Sequence, residues 1–112
     1  MKSMSSLKGN LVRQMDNILN FLGIARRAGK LSLGYDSVEE AVNKKKSKLI
    51  ILACDVSKRT RRSVENISKR GNVTTVFSDI PMERIGSAIG KAVGIVSVND
   101  EGFAKRLKEL FA

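Results

Sequence analysis

From Asn10 onward the apolar positions keep a helical period. Leu11, Met15, Ile18, Leu22 and Ala25 fall at steps of three and four, and Val12 and Leu19 widen the stripe. Residues 1–9 (MKSMSSLKG) are polar and aperiodic and read as a flexible N-terminus, which leaves 10–112 as the folded domain. Asn10 is placed to cap the first helix. Gly29 follows Ala28 as its stop, with Arg26 and Arg27 in the last turn, where cations suit the helix dipole. Leu31-Ser32-Leu33 alternates as a short strand. Gly34 then permits a sharp turn, and Asp36 with Glu39 three residues on forms a capping-box pattern. The second helix has its apolar side at Val38, Ala41 and Val42, and its Glu40 and Lys44 stand four apart, in the favourable order for a surface pair.

Leu49 to Cys54 is apolar without alternation and predicts a strand buried on both faces. Ser57 is placed to cap a third helix that runs through Arg70 and closes at Gly71, with Val64 and Ile67 as its thin apolar stripe. Val73 to Phe77 is a further β-rich run. Asp79 and Pro81 open a fourth helix around Met82, Ile85, Ala88 and Ile89, since proline is tolerated in a first turn. Val93 to Val98 is the last strand, and Asn99 or Asp100 caps a final helix with Phe103, Leu107 and Leu110 inward. The order α-β-α-β-α-β-α-β-α predicts an α/β fold, with a sheet covered by helices on both faces in a three-layer α/β/α sandwich. The chain has no internal repeat and no linker long enough to divide it into domains.

Composition narrows the function classes. Ile, Leu, Val and Phe supply 33 of the 112 residues, well above the roughly one in five below which disorder is the better reading. One cysteine, Cys54, excludes a disulfide framework and a cysteine-cluster zinc site. It reads as a small core residue in a reduced compartment. The absence of histidine removes the usual general base and the commonest metal ligand. The longest aliphatic run is the six residues Leu49–Cys54, far short of the roughly 18 that a membrane span needs. The first nine residues lack the apolar centre of a signal peptide, so a cytoplasmic location is expected, with no membrane partner.

Charge is the strongest functional signal. Lys and Arg number 21 against 11 Asp and Glu, for a net +10, and residues 26–70 alone hold 13 basic and 5 acidic side chains. Such an excess on a small domain marks a polyanion partner. The cations gather at Arg26-Arg27-Lys30, at Lys44-Lys45-Lys46-Lys48 and at Lys58 to Arg62. In an alternating α/β chain the end of the first helix and the start of the second can approach the loop after the second strand, which would give one joint basic rim for phosphates. Tyr35 is the sole tyrosine and tryptophan is absent, so a base-stacking platform for single strands is disfavoured and structured RNA fits better. Catalysis has no support: there is no triad, no HExxH and no spaced carboxylate pair. Gly86-Ser-Ala-Ile-Gly90-Lys91-Ala92 fails as a phosphate loop, because only three residues separate its glycines and Ala follows its lysine. Those glycines read instead as close packing and the end of a helix.

Several segments in their order carry a resemblance. They are Leu22-Gly23-Ile24-Ala25-Arg26-Arg27-Ala28-Gly29-Lys30-Leu31, Gly34, Lys48 to Ala53, Asp55-Val56-Ser57, Ile85-Gly86 through Ile89-Gly90-Lys91, and Asn99-Asp100-Glu101-Gly102-Phe103-Ala104-Lys105. Over about residues 15–110 the chain resembles the kink-turn-binding ribosomal protein superfamily, and within it the bacterial YlxQ-type branch. The resemblance implies a single α/β/α domain with a four-stranded mixed sheet, no catalysis, no cofactor, and binding of an RNA helix bent sharply beside tandem sheared G·A pairs. In that family the loop and first turn of the second helix enter the RNA major groove, which here implicates Gly34, Tyr35, Asp36, Ser37, Glu40 and Lys44. An apolar loop before the last strand covers the protruding bases, which implicates Gly94, Ile95, Val96 and Ser97, with Val56 in the turn near both. The family's base-reading positions often hold Asn, Glu and Lys; here they are Asp36, Ser37 and Glu40. Asp36 and Ser37 can accept from guanine amino groups, whereas Glu40 repels phosphate.

The expectation is therefore a non-enzymatic, monomeric, ribosome-associated protein that binds structured, kink-turn-like RNA, with ribosomal RNA as partner. Arg26, Arg27, Lys30, Lys58, Arg59 and Arg62 join the residues above as its contacts. The alternative is a protein-interaction or regulatory module on the same fold that does not bind RNA.

Overall fold

The computed structural model describes the backbone of residues 2–112 and the side chains from Val12 onward. Nine elements follow in chain order: α1 (Lys2–Arg27), β1 (Leu31–Leu33), α2 (Tyr35–Asn43), β2 (Leu49–Leu52), α3 (Lys58–Gly71), β3 (Thr75–Phe77), α4 (Met82–Ile89), β4 (Ile95–Val98) and α5 (Glu101–Phe111). The strands form one mixed sheet in the order β1-β4-β2-β3. β4 runs antiparallel to both β1 and β2, while β2 and β3 are parallel. The two central strands, β2 and β4, are buried along their whole length, as the unbroken apolar run at Leu49 predicts.

Successive residues of these strands point to opposite faces. Ile50, Leu52 and Ile95 pack with Val38, Val42, Val64 and Ile67 in the layer of α2 and α3. Leu49, Ile51, Val96 and Val98 pack with Leu22, Ile85, Ile89 and Leu107 in the layer of α1, α4 and α5. The result is the three-layer α/β/α sandwich with a four-stranded mixed sheet.

Helix ends account for most differences from the sequence reading. α1 begins at Lys2, so Asn10 lies inside the helix rather than capping it. Its core stripe is Ile18, Leu19, Leu22 and Ala25, and Val12 is exposed. α1 ends as expected at Gly29 (φ 72), where the Lys30 N–H donates to the Ala25 carbonyl at 3.0 Å. Gly34 (φ 86), not Asp36, is the N-cap of α2, and no side chain caps that helix. Glu39 is not part of a capping box; it meets Arg70 at 3.4 Å. Ser57 and Asp100 cap α3 and α5, accepting from the Thr60 and Phe103 N–H groups. Asn72, not Gly71, is the left-handed residue that ends α3. Gly90 ends α4 in the left-handed region, and a Cβ on Gly86 would sit 3.2 Å from Ala92 Cα, consistent with close packing. β2 stops at Leu52, so Cys54 is exposed in the following turn rather than in the core.

Candidate nucleic-acid interface

Three chain segments converge at one end of the sheet. The Gly34 N–H donates to the Ile95 carbonyl at 3.0 Å, which joins the start of α2 to the start of β4. The Ala53 N–H donates to the Gly94 carbonyl at 2.9 Å, which brings the turn after β2 to the same place. Between them lies a groove of about 380 Å³ walled by Tyr35, Val56, Thr60, Met82, Val93 and Ile95, with Gly34 and Gly94 in its floor. Gly94 is required by proximity, since a Cβ there would lie 2.6 Å from Val56 Cγ1. Asp55 braces the opening: its Oδ1 accepts the Met82 N–H at 2.9 Å. Thus the turn after β2, rather than Asp79, caps α4 (Pro81 stands at the N-cap position with no side-chain bond of its own).

α2 turns its polar face outward beside this groove. Asp36, Ser37, Glu40 and Lys44 are exposed, while Val38, Ala41 and Val42 are buried beneath them. Lys44 Nζ meets Glu40 Oε1 at 2.5 Å, and both side chains are more than half exposed. That hydrogen bond and the adjacent ammonium charge hold the Glu40 carboxyl below the ordinary carboxylate range. Glu40 is therefore ionised at neutral pH, and Lys44 is committed to it.

α3 starts at the same end. Ser57 and Thr60 line the groove, and Lys58, Arg59 and Arg62 are exposed in its first turns. The positive end of the helix dipole adds to these three cations. Arg61 lies over the Phe77 ring, 4.3 Å from its centroid, and so covers the exposed end of β3.

Not every expected residue reaches this face. Arg26, Arg27 and Lys30 belong to the opposite end of the sheet, where Lys30 accepts from the Asn99 N–H and Leu31 pairs with Val98. β1 carries the chain from Lys30 to Gly34, about 13 Å at strand rise, so the joint basic rim does not form. Lys44 also sits toward that opposite end, one α2 length from Gly34. β4 begins at Ile95, so the apolar loop before it ends at Gly94, the first of the four residues implicated there. Ile95 reaches the groove wall, but Val96 and Ser97 are fully buried in β4 and cannot touch a ligand. Ser97 is instead the middle of a polar chain, hydrogen-bonded to Ser47 at 2.6 Å and to Asn99 at 2.7 Å, with Asn99 donating to Ser32 at 2.8 Å. Thr60, Met82 and Val93 were missed as wall residues. Only the Val93-Gly94 step, a small residue beside an apolar one ahead of the strand, carried a signal for them.

Comparison with known proteins agrees with this architecture. Residues 16–108 match the model of the ribosomal protein L7Ae/L30e/S12e/Gadd45 family. The RNA-binding protein YlxQ of Enterococcus faecium is 34% identical over 92 residues, covering 82% of this chain and 88% of that protein. The large ribosomal subunit protein eL30 of Candida glabrata is 29% identical over 93 residues, covering 81% and 89%. Among solved structures, a protein of unknown function from Bacillus halodurans superposes with TM-score 0.75 at 29% identity, covering 84% of this chain and 95% of that one. The 15.5kD RNA binding protein of Giardia lamblia shares the fold with TM-score 0.72 at 17% identity, covering 88% and 85%. With its order of elements, its mixed sheet and a family match across most of its length, the chain belongs to the ribosomal protein L7Ae/L30e/S12e/Gadd45 family.

Proposed function

We propose that this chain is a non-enzymatic RNA-binding protein that works in association with the ribosome, as a cytoplasmic monomer, and that its ligand is a sharply bent, kink-turn-like RNA. The observation that carries the reading is the junction of Gly34 with Ile95, which sets the exposed first turn of α2 beside an apolar groove. A bent RNA offers matching parts. Its opened major groove admits the Asp36–Ser37 turn, whose oxygens accept from guanine amino groups, and its extruded bases cover Val56, Met82 and Val93. The first turns of α3 supply phosphate contacts through Lys58, Arg59 and Arg62, which position the RNA without reading its sequence. Relatives named as RNA-binding and large-subunit ribosomal proteins support the same ligand class.

The test is a binding titration of the chain against a kink-turn RNA and against the same RNA with its sheared G·A pairs replaced by Watson–Crick pairs, each at several salt concentrations. The reading expects tighter binding to the bent RNA and a steep fall of affinity with salt, by roughly one unit of log–log slope per phosphate engaged. Equal affinity for both RNAs would remove the kink-turn assignment. A slope near zero would remove the nucleic-acid assignment altogether.

A further inference from the structure

The end of the sheet opposite the groove holds a second and larger cleft. It has a volume of about 590 Å³ and lies between the last turns of α2 and α3 and the entrances to β2 and β3. Lys45 and Lys48 from the loop between α2 and β2, Arg70 from α3 and Lys108 from α5 reach it from three separate parts of the chain. α3 spans the distance between the two sites. Its 14 residues start at the groove and end at the cleft, about 20 Å apart at helical rise.

The cleft is shaped by local backbone features. Lys45 (φ 59) and Asn72 (φ 53) both take the left-handed conformation that non-glycine residues seldom adopt. They turn the chain sharply out of α2 and α3. The Lys46 and Ser47 N–H groups both donate to the Ala41 carbonyl, and the Val73 N–H donates to the Ser68 carbonyl. Gly71 lets the two helices close together, because a Cβ there would run into Val42 Cγ1. Ser47 is buried and bonded to Ser97, which ties the cleft to the central strand β4.

Cations at helix C-termini have an ordinary purpose, which is to offset the helix dipole. That accounts for Lys69, Arg70 and the lysines that follow α2. It also covers Lys108, in the last turn of α5, but not Lys48 at the entrance to β2, nor the meeting of these four cations at one cleft. Arg70 is paired with Glu39 at 3.4 Å and Lys48 loosely with Glu101 at 3.9 Å. Lys45 and Lys108 have no carboxylate within ion-pair distance among the described residues, and both are exposed. Asn43, Asn72 and Thr74 add uncharged hydrogen-bonding groups to the lining, while no aromatic ring among the described residues faces the cleft. Cations and amides without a stacking ring suit phosphate oxygens and not bases.

We infer that this cleft is a second phosphate-backbone site, which holds an RNA segment flanking the one gripped at the Gly34–Gly94 groove. The inference shares with the proposed function only the class of ligand. It concerns different residues and a different part of the RNA. The chain would thus bridge two stretches of backbone along α3, and the charge excess at the end remote from the groove has a ligand.

Amide NMR of the full chain tests this with two probes, a kink-turn RNA with short stems and a short plain RNA duplex. The duplex is expected to shift the amides of Ser47, Asn72 and Thr74, and the short kink-turn those of Gly34, Tyr35 and Gly94. The double variant Lys45→Glu, Lys108→Glu should abolish the cleft shifts. It should leave affinity for the short kink-turn within about twofold and lower the salt slope for a long-stemmed RNA by about two units. Lys108→Glu alone, on an exposed helix face, should give half of that slope change and guards against a folding defect at Lys45. If only the groove amides shift with every RNA, the second site is overturned and the proposed function stands. Shifts at the cleft alone would support the second site and overturn the groove reading. No shift at either set overturns both.

Discussion

Asp55 Oδ1 accepts the backbone N–H of Met82 at 2.9 Å, so a side chain from the turn after β2 caps a helix that starts 27 residues later. The bond fixes the spacing of two groove walls, Val56 on one side and Met82 on the other. Asp55→Ala should cost about 1 kcal/mol, the usual worth of an N-terminal cap, and lower Tm by about 4–8 °C. Asp55→Asn keeps an acceptor and should recover most of that loss. Thermal unfolding followed by circular dichroism checks both; an unchanged Tm for the alanine variant would mean the cap does not hold α4.

Gly94 faces Val56 Cγ1 and Met82 Cγ, at 2.6 and 3.3 Å from where a Cβ would stand. Gly94→Ala should therefore destabilise the fold by about 1–3 kcal/mol, as overpacking does. Val56→Ala opens the space, so the double variant should regain much of the loss and show a coupling that single changes do not. Urea denaturation of the four proteins measures it. Additive losses would place Val56 away from Gly94.

Glu40 combines an altered acidity with an unfavourable charge for RNA. Its carboxyl is held below the ordinary range by Lys44, so carbon-detected NMR should find its midpoint below that of the Lys44→Met variant. The folded pKa is the lower one. The pair therefore contributes above the unfolded pKa of Glu40 and is lost as pH falls through the folded value. Glu40→Lys removes the repulsion and releases Lys44. Affinity for a kink-turn RNA should rise, and by more than for a plain duplex. An equal rise on both RNAs would make Glu40 a contributor to the general field only, and no rise on either would mean that α2 does not face RNA.

Arg59 and Arg62 stand exposed in the first turns of α3, where the helix dipole reinforces them. Replacing either by Ala should weaken binding to every structured RNA by a similar factor and reduce the salt slope by about one unit. Loss confined to one RNA sequence would show that the residue reads bases.

The layer order and core of this fold were legible because its strands and helices differ in period. Leu49-Ile-Ile-Leu read as a strand buried on both faces, and Val38, Ala41 and Val42 as one side of a helix. Capping was legible at Ser57 and Asp100, whose partners are local, and less so elsewhere. Asp36 and Glu39 have the spacing of a capping box, yet the tight turn at Gly34 leaves α2 without a side-chain cap and Glu39 meets Arg70. Asp79 precedes Pro81, yet the cap on α4 comes from Asp55. The basic rim failed for a related reason. Sequence proximity put Lys30 near Gly34, but the intervening strand sends them to opposite ends of the sheet. Ser97 fell within the expected last strand, while the resemblance implicated it in RNA contact; one serine in an apolar run carries no mark of the hydrogen-bonded partners, Ser47 and Asn99, that permit its burial.

Structured ribosomal RNA is proposed to dock at the end of the molecule where Gly34, Ser57 and Gly94 meet. Ultraviolet crosslinking of the full chain in cells, with sequencing of the attached RNA and mass spectrometry of the attached peptides, tests it most directly. Docking there should give reads concentrated at bent helices of ribosomal RNA and crosslinks within the peptides that contain Tyr35–Glu40 and Ser57–Arg62. Crosslinks absent from both peptides, or reads scattered over cellular RNA without enrichment in ribosomal RNA, would contradict it.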